Sequence, residues 1–188
     1  MKNNVTPSEK SRFEHEYISI IKDKLRAELG LKNIMQVPKL VKIVLNVGVK
    51  EAVGDSKMLS GVVNVLTKIA AQAAIKTFAR KSIASFKLRE GMAIGAKVTL
   101  RGHRMYEFFD RFINLALPKV RDFQGLPTTL DGRGGYNIGI KDWSIFPEVA
   151  FGVDEKLHGL NVSVHMSTKK DSEGIALLKA FGLPFRKV

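Results

Sequence analysis

Apolar and polar side chains alternate within residues 76–104, and this period of two constrains the fold more than any other feature of the chain. One set of alternate positions is apolar: Ala96, Val98 and Leu100. The other set is polar or basic: Lys97, Thr99 and Arg101. Because successive side chains of a β-strand point to opposite faces, we expect an antiparallel strand with one buried and one exposed face.

Residues 76–104 also carry more than half of the net positive charge. They contain eight Lys or Arg residues and one acidic residue, Glu90, which gives +7 of the chain's +13. Phe78 and Phe86 lie among these charges. A basic strand face with spaced aromatic side chains suits a nucleic-acid backbone. Since no segment predicts a helix with a row of Arg, Asn and Gln for the major groove, RNA is favoured over sequence-read DNA.

The basic stretch predicts a hairpin of two strands around a turn at Glu90-Gly91. Residues 82–92 then form a long tip between the strands, with Phe86, Lys87 and Arg89 among its side chains. A tip that is both apolar and cationic has few structural reasons to exist. We therefore favour a functional role for it over a purely structural one.

A second alternating segment occupies residues 41–49. Its apolar set is Ile43, Leu45, Val47 and Val49. Its small or polar set is Lys42, Val44, Asn46 and Gly48. The second set fits a solvated edge strand and a binding face equally well. A binding face is possible because Gly48 admits a close partner and Asn46 both donates and accepts hydrogen bonds. As a binding face, Lys42 and Asn46 suit an RNA minor groove, while Lys97, Thr99 and Arg101 suit phosphates and hydroxyls.

Helical periodicity appears in four segments. Three of them begin with capping signals: Thr6 with Pro7 and Glu9, Asp55 or Ser56, and Asp171 or Ser172. The first helix ends at Gly30, the second extends to Ala73, and residues 103–117 form an amphipathic helix with an aromatic core stripe. We predict an α+β fold in one domain over residues 1–188: a largely antiparallel sheet with helices packed on one face and a protruding basic hairpin loop.

Several function classes lack a signal. The chain has no Cys, and its four His residues lack the spacings that place two ligands on one helix face, so we expect no metal and no cofactor. No apolar run approaches the roughly 20 residues of a membrane span, and the N-terminus lacks the apolar core of a signal peptide.

Two other functions compete with that of a non-catalytic RNA-binding protein. An RNA-processing enzyme would have to use the loosely available carboxylates of Asp55, Glu90 and Asp131, and a DNA-packaging protein would not need such localised charge.

The same segments resemble a known family. Residues 35–39 and 42–49, with sequences MQVPK and KIVLNVGV, are similar to the first strand region of bacterial-type large ribosomal subunit protein five. Further similar segments follow in the same order: residues 79–92, 94–102, 121–123, 131–134, 145–148 and 184–185. The resemblance is collinear over almost the whole chain, which makes it highly specific.

The resemblance implies a structural constituent of the large ribosomal subunit, not an enzyme, that helps attach 5S ribosomal RNA in the central protuberance. The implied partners are 5S ribosomal RNA, 23S-type large-subunit RNA, the transfer RNA in the P site, and small-subunit protein thirteen through an intersubunit bridge. It also implies a monomer within the cytoplasmic ribosome, with no membrane partner and no cofactor.

Carried over by position, the family's 5S RNA contacts fall on Lys42, Asn46, Gln72, Phe86 and Thr99, with Lys97 and Arg101 as neighbours. The transfer-RNA contacts fall on the hairpin tip and the residue before it: Lys81, Ser82, Phe86, Lys87 and Arg89. One departure lies close to this set, because the chain has Ala-Gln-Ala-Ala at residues 71–74 where the family usually has Gly-Gln-Lys/Arg-Pro.

Overall fold

A computed structural model describes residues 11–53, 56–149 and 158–186, and a five-stranded antiparallel sheet lies at its centre. The strands are β1 (Leu40–Gly48), β2 (Ile75–Phe78), β3 (Ala93–Leu100), β4 (Gly135–Ile140) and β5 (Leu160–Met166). Their order across the sheet is β2-β3-β1-β5-β4, so β1 is the central strand. The predicted α+β class and antiparallel sheet are confirmed.

The period of two decides which face of the sheet is buried. On β1, Ile43 and Leu45 are fully buried, and the register places them opposite apolar residues of both neighbouring strands. These partners are Leu100 and Val98 on β3, and Val164 and Val162 on β5. Because directly opposed residues of antiparallel strands share a face, the apolar sets of three strands form one continuous core surface.

The helices cover this apolar surface, and α3 packs against β3 while α4 packs against β1. The first helical segment has three consecutive parts: α1 (Arg12–Glu16), a π-helical part (Tyr17–Ile21) and α2 (Lys22–Glu28). The helix α3 spans Ser56–Ala70, and α4 (Gly102–Arg111) continues into a π-helical part (Phe112–Ala116) and a 3₁₀ turn (Leu117–Lys119). The last helix is α5 (Asp171–Ala180), and short 3₁₀ turns occur at Ile34–Gln36, Lys50–Val53, Ala84–Phe86 and Trp143–Ile145.

Aromatic rings join the first helical segment and α4 to the end of α5. The ring of Phe181 lies 5.5 Å from Phe13, 6.0 Å from Tyr17 and 5.6 Å from Phe109, measured between centroids. Such pairs contribute about 0.5–1.5 kcal/mol each beyond the burial of their area. The aromatic stripe of the segment 103–117 is therefore core, as its spacing predicts.

Some predicted helix boundaries are wrong. The helix α3 ends at Ala70 and not at Ala73, because Ala71 takes a left-handed backbone conformation with φ of 49° and turns the chain away. The helix α5 begins at Asp171, so its N-cap position is Lys170 and not the predicted Asp171 or Ser172. The Thr168 hydroxyl braces the turn before the helix, because it accepts from the backbone N–H of Lys170 at 3.1 Å and donates to Glu173 at 2.6 Å. The other proposed capping residues, Thr6 with Pro7 and Glu9, and Asp55, lie outside the described residues.

The turn that leads into β4 provides a stability test, because two glycines there share one backbone conformation. Gly132 and Gly134 have φ of 74° and 75°, so Ala at either position has the left-handed penalty of about 1–2 kcal/mol. A Cβ on Gly132 meets nothing within 4 Å, whereas one on Gly134 overlaps the carbonyl oxygen of Thr168. In urea denaturation, we expect Gly134→Ala to lower the free energy of unfolding by about 1–3 kcal/mol more than Gly132→Ala. Equal losses would contradict this packing.

Candidate nucleic-acid interface

The side of the sheet that faces away from the helices carries mostly polar side chains, and we call it the open face. Its members alternate with the buried residues on each strand: Lys42, Val44, Asn46 and Gly48 on β1, Lys97 and Thr99 on β3, Asn161, Ser163 and His165 on β5, and Asn137 and Gly139 on β4. All of them are exposed or half-buried. The open face is therefore a surface of donors and cations in direct contact with solvent.

Cross-strand register brings most of the predicted 5S RNA residues together. Asn46 lies opposite Lys97, and Val44 lies opposite Thr99, so the polar sets of β1 and β3 form adjacent rows. Lys42 lies in the next row of the same face. Arg101 follows β3 with an extended backbone and an exposed side chain, so it continues the alternation of Lys97 and Thr99.

Gln72 reaches the border of this face from the end of α3. The left-handed turn at Ala71 brings the chain back toward β3, and the side-chain amide of Gln72 donates to the carbonyl oxygen of Thr99 at 3.1 Å. The strand β2 begins only at Ile75, which pairs with Lys97, so Gln72 supplies a hydrogen bond where the β2 ladder is missing. The departure from the family pattern at residues 71–74 therefore leaves Gln72 beside Thr99.

Residues 79–92 form a folded loop between β2 and β3, which we call the basic loop. Its base is closed by two hydrogen bonds, from Ala79 N–H to the Met92 carbonyl at 2.8 Å and from Gly91 N–H to the Ala79 carbonyl at 3.0 Å. Reciprocal bonds between Ile83 and Leu88 at 2.9 and 3.1 Å close its far end around the 3₁₀ turn. The predicted turn at Glu90-Gly91 is present, because the Met92 N–H donates to the Arg89 carbonyl at 3.2 Å and Gly91 has a φ of 81°. It does not join the two strands directly, since they stop at Phe78 and resume at Ala93.

The basic loop presents both apolar and cationic side chains to solvent. Phe86 is 69% exposed, and Phe78 at the end of β2 is 61% exposed. The predicted transfer-RNA residues Lys81, Ser82, Lys87 and Arg89 are all exposed. The Oγ atom of Ser82 also accepts a hydrogen bond from the Glu90 backbone N–H at 2.9 Å, which gives this residue a structural role in the loop.

The structure separates Phe86 from the other predicted 5S RNA residues. The basic loop joins β3 at Ala93, whereas Thr99 lies near the opposite end of that strand and Arg101 lies just beyond it. Phe86 therefore has no place in the cross-strand rows of the open face. The predicted protrusion of this loop away from the sheet stays a prediction.

The cations of these two surfaces are available to an anion. Within the described ranges, ion pairs occur elsewhere, as between Arg12 and Asp110 at 2.6 Å and between Lys170 and Glu173 at 3.2 Å. Lys42, Lys97 and Arg101 form no ion pair with another described residue. No carboxylate of the described residues thus neutralises their charges, which favours phosphate binding.

Four polar residues of the open face are missing from the sequence predictions: Asn137, Asn161, Ser163 and His165. The alternation of Leu160, Val162 and Val164 predicts a strand, and the residues between them are its second face. The alternation in the sequence therefore suffices to place Asn161, Ser163 and His165 on the polar face of β5. Asn137 has a weaker signal, because the glycines around it obscure the alternation of β4.

His165 is electrostatically coupled to Asp131 and lies opposite Lys42 on β1. Burial lowers the pKa of His165, the charge of Lys42 lowers it further, and the Asp131 carboxylate opposes this. The Asp131 carboxylate accepts from the backbone N–H groups of Gly135 and Arg133, both at 2.8 Å, and these bonds lower its pKa. The imidazole is therefore held toward its neutral form.

The described ranges contain no cluster of three or more His, Cys, Asp or Glu residues that could hold a metal ion. Among the same residues, no helix is both long enough and apolar enough to cross a membrane.

Comparison with known proteins gives matches along most of the chain. Residues 33–89 match the family model described as Ribosomal protein L5, and residues 93–185 match the model for the C-terminus of the same ribosomal protein family. Large ribosomal subunit protein uL5 of Fusobacterium nucleatum is 51% identical over 178 residues, which cover 94% of this chain and 97% of that protein. The protein of the same name from Syntrophomonas wolfei is 52% identical over 177 residues, covering 94% and 99%. The one from Psychrobacter cryohalolentis is 50% identical over 177 residues, also covering 94% and 99%.

The environment of His165 leads to a pH prediction. Because its folded-state pKa is lowered, the unfolded chain binds more protons just below pH 6.5 (about the ordinary His value), so the free energy of unfolding falls as the pH drops through this range. In an NMR titration, Lys42→Met should raise the pKa of His165, and Asp131→Asn should lower it further. Shifts of the same sign in both variants would contradict the electrostatic assignment.

Proposed function

We propose that this chain, which belongs to the ribosomal protein L5 family, binds 5S ribosomal RNA through the open face of its sheet. The relatives are proteins of the large ribosomal subunit, so the chain is a ribosomal protein and resides in the ribosome. The family consists of structural ribosomal proteins rather than enzymes, in agreement with the prediction that the chain catalyses no reaction.

One observation carries the proposal for 5S RNA: the register aligns Lys97 with Asn46 and Thr99 with Val44 on a face that the helices leave uncovered. Double-stranded RNA has a wide, shallow minor groove that displays 2′-hydroxyls and base edges between two rows of phosphates. A sheet face with cations along one side and small polar groups at its centre matches this arrangement. The cations meet phosphates, while Asn46 and Thr99 supply hydrogen bonds.

Gln72 and Gly48 support the same surface in different ways. The hydrogen bond from the side-chain amide of Gln72 to the Thr99 carbonyl holds Gln72 at the border of the open face, where RNA bound to this face can contact it. Gly48 is exposed, and a Cβ at this position would meet nothing within 4 Å. The open space around Gly48 allows an RNA backbone to approach the sheet closely.

The basic loop is proposed as the contact with the transfer RNA in the P site. Its support is the combination of an exposed aromatic ring at Phe86 with exposed cations at Lys81, Lys87 and Arg89. Unpaired bases of RNA stack on aromatic rings and guanidinium planes, while the phosphates attract the charges. Contacts to the 23S-type RNA, the bridge to small-subunit protein thirteen and the monomeric state within the ribosome are proposed from the family resemblance.

The sheet-face proposal is tested by removing two cations. We expect the double variant Lys97→Ala with Arg101→Ala to bind 5S RNA with at least about tenfold lower affinity. We also expect its dependence of log K on log salt to be less steep by about 0.7–0.9 per lost phosphate contact. A matched control is Lys24→Ala with Lys179→Ala, which removes the same charge from exposed helical positions. Equal weakening of both variants in a salt-controlled titration would show that only net charge matters.

The basic-loop proposal is tested with Lys87→Asn combined with Arg89→Ala. Asn suits position 87 because φ there is 53° and Asn tolerates the left-handed region. The loop is closed by backbone hydrogen bonds, which this variant leaves in place. Ribosomes carrying it should hold P-site transfer RNA several-fold more weakly, while the isolated protein binds 5S RNA normally. Unchanged transfer-RNA binding would argue against the loop contact, and a loss of 5S affinity in Phe86→Ala would assign that ring to the 5S interface.

A further inference from the structure

The open face contains a shallow depression on the side away from β3, between β1, β5 and β4. Its lining consists of Ile138, Gly139 and four polar residues: Asn46, Asn137, Asn161 and Ser163. The register explains why they meet, since Asn161 lies opposite Asn46 on one side and Gly139 on the other, and Ser163 lies opposite Asn137. Three strands distant in sequence thus contribute to one small site.

The lining of this depression carries no formal charge, but it is rich in hydrogen-bonding capacity. Each Asn amide offers two donors and an acceptor with two lone pairs, and the Ser hydroxyl both donates and accepts. Within the described part of the chain, none of these four side chains hydrogen bonds to another protein group. Their donors and acceptors are therefore free for a ligand.

Gly139 keeps the floor of the depression open. It lies on the open face opposite Asn161, and its backbone is not in the left-handed region. A Cβ built on it would lie 3.7 Å from the Oδ1 atom of Asn161, which is an ordinary van der Waals contact. Ala is thus compatible with the fold at this position, and its methyl group would occupy space at the floor.

The two halves of the open face have different chemistry. Lys97 and Arg101 on the β3 side are cations that form no ion pair with another residue of the described ranges, whereas the Asn-lined depression is neutral. Cations bind phosphates of RNA and DNA alike and give a steep dependence on salt. Neutral groups that both donate and accept suit the ribose 2′-hydroxyl, which also donates and accepts and is present only in RNA.

We propose that the depression formed by Asn46, Asn137, Asn161 and Ser163 binds ribose 2′-hydroxyls in the RNA minor groove and makes the sheet selective for RNA over DNA. This inference rests on the proposed binding of 5S RNA by the open face. It assigns affinity mainly to the cations of β3 and selectivity to the neutral residues of β4 and β5.

The test uses two probes and the full chain. One probe is a 5S RNA fragment that the protein protects, and the other is the same fragment with 2′-deoxyribose at the protected positions. We expect Asn161→Ala to weaken binding of the all-ribose probe about threefold to tenfold, the effect of one neutral hydrogen bond, with little change for the deoxyribose probe. Gly139→Ala should weaken binding of the all-ribose probe as well, because its methyl group would occupy space beside the Asn161 amide. The salt dependence should not change, because no charge is lost.

The matched control is Asn64→Ala, which removes an exposed Asn from α3 in the helical layer and should bind both probes like the unmodified protein. Equal weakening of both probes by Asn161→Ala, or no weakening of either, would overturn the proposal. The variant that combines Lys97→Ala with Arg101→Ala distinguishes a failure of the 2′-hydroxyl site from a failure of the proposed 5S RNA binding. If it loses affinity for both probes while Asn161→Ala loses none, the 5S proposal stands and only the 2′-hydroxyl site fails. If it too keeps full affinity, the proposed function fails, and the 2′-hydroxyl site with it.

Discussion

The pairing of β1 with both β3 and β5 is the constraint on which the rest of the structure depends. As the central strand, β1 aligns Leu45 with Val98 on one side and Val162 on the other, and all three are buried beneath the helices. A slip of one residue would transfer every apolar side chain of β1 to the opposite face. The same register that buries the core therefore fixes which polar side chains meet on the open face.

This constraint also separates the two basic surfaces of the chain. Lys97 is held in the rows of the sheet by its register with Asn46, and Arg101 continues the alternation just beyond β3. The cations of the basic loop lie outside the ladder, where backbone hydrogen bonds within the loop position them. A continuous basic stretch in the sequence is thus divided between the open face of the sheet and a separate loop with an exposed aromatic ring.

The predictable parts of the fold are those set by local periodicity. Alternation identifies both faces of β1 and β3, and helical spacing identifies the aromatic stripe that packs on Phe181. The predicted end of α3 is wrong because the left-handed conformation of Ala71 alone ends the helix. The predicted cap of α5 is wrong because the helix starts one residue after Lys170, which has no side-chain oxygen to signal a cap. The strand order and the depression on β4 and β5 depend on pairing between distant segments, which periodicity alone does not specify.

His165 adds a further neutral side chain to the half of the open face that β4 and β5 form. Lys42 lies opposite His165, and two neighbouring cations at this position would repel each other. Burial and the charge of Lys42 lower the pKa of His165, so the imidazole is mostly neutral at pH 7 and offers one donor and one acceptor. The row beyond Ser163 therefore ends in a hydrogen-bonding group rather than in a second charge. On the open face, positive charge therefore lies at Lys42 and Lys97, with Arg101 just beyond β3, whereas the polar side chains of β4 and β5 are neutral donors and acceptors.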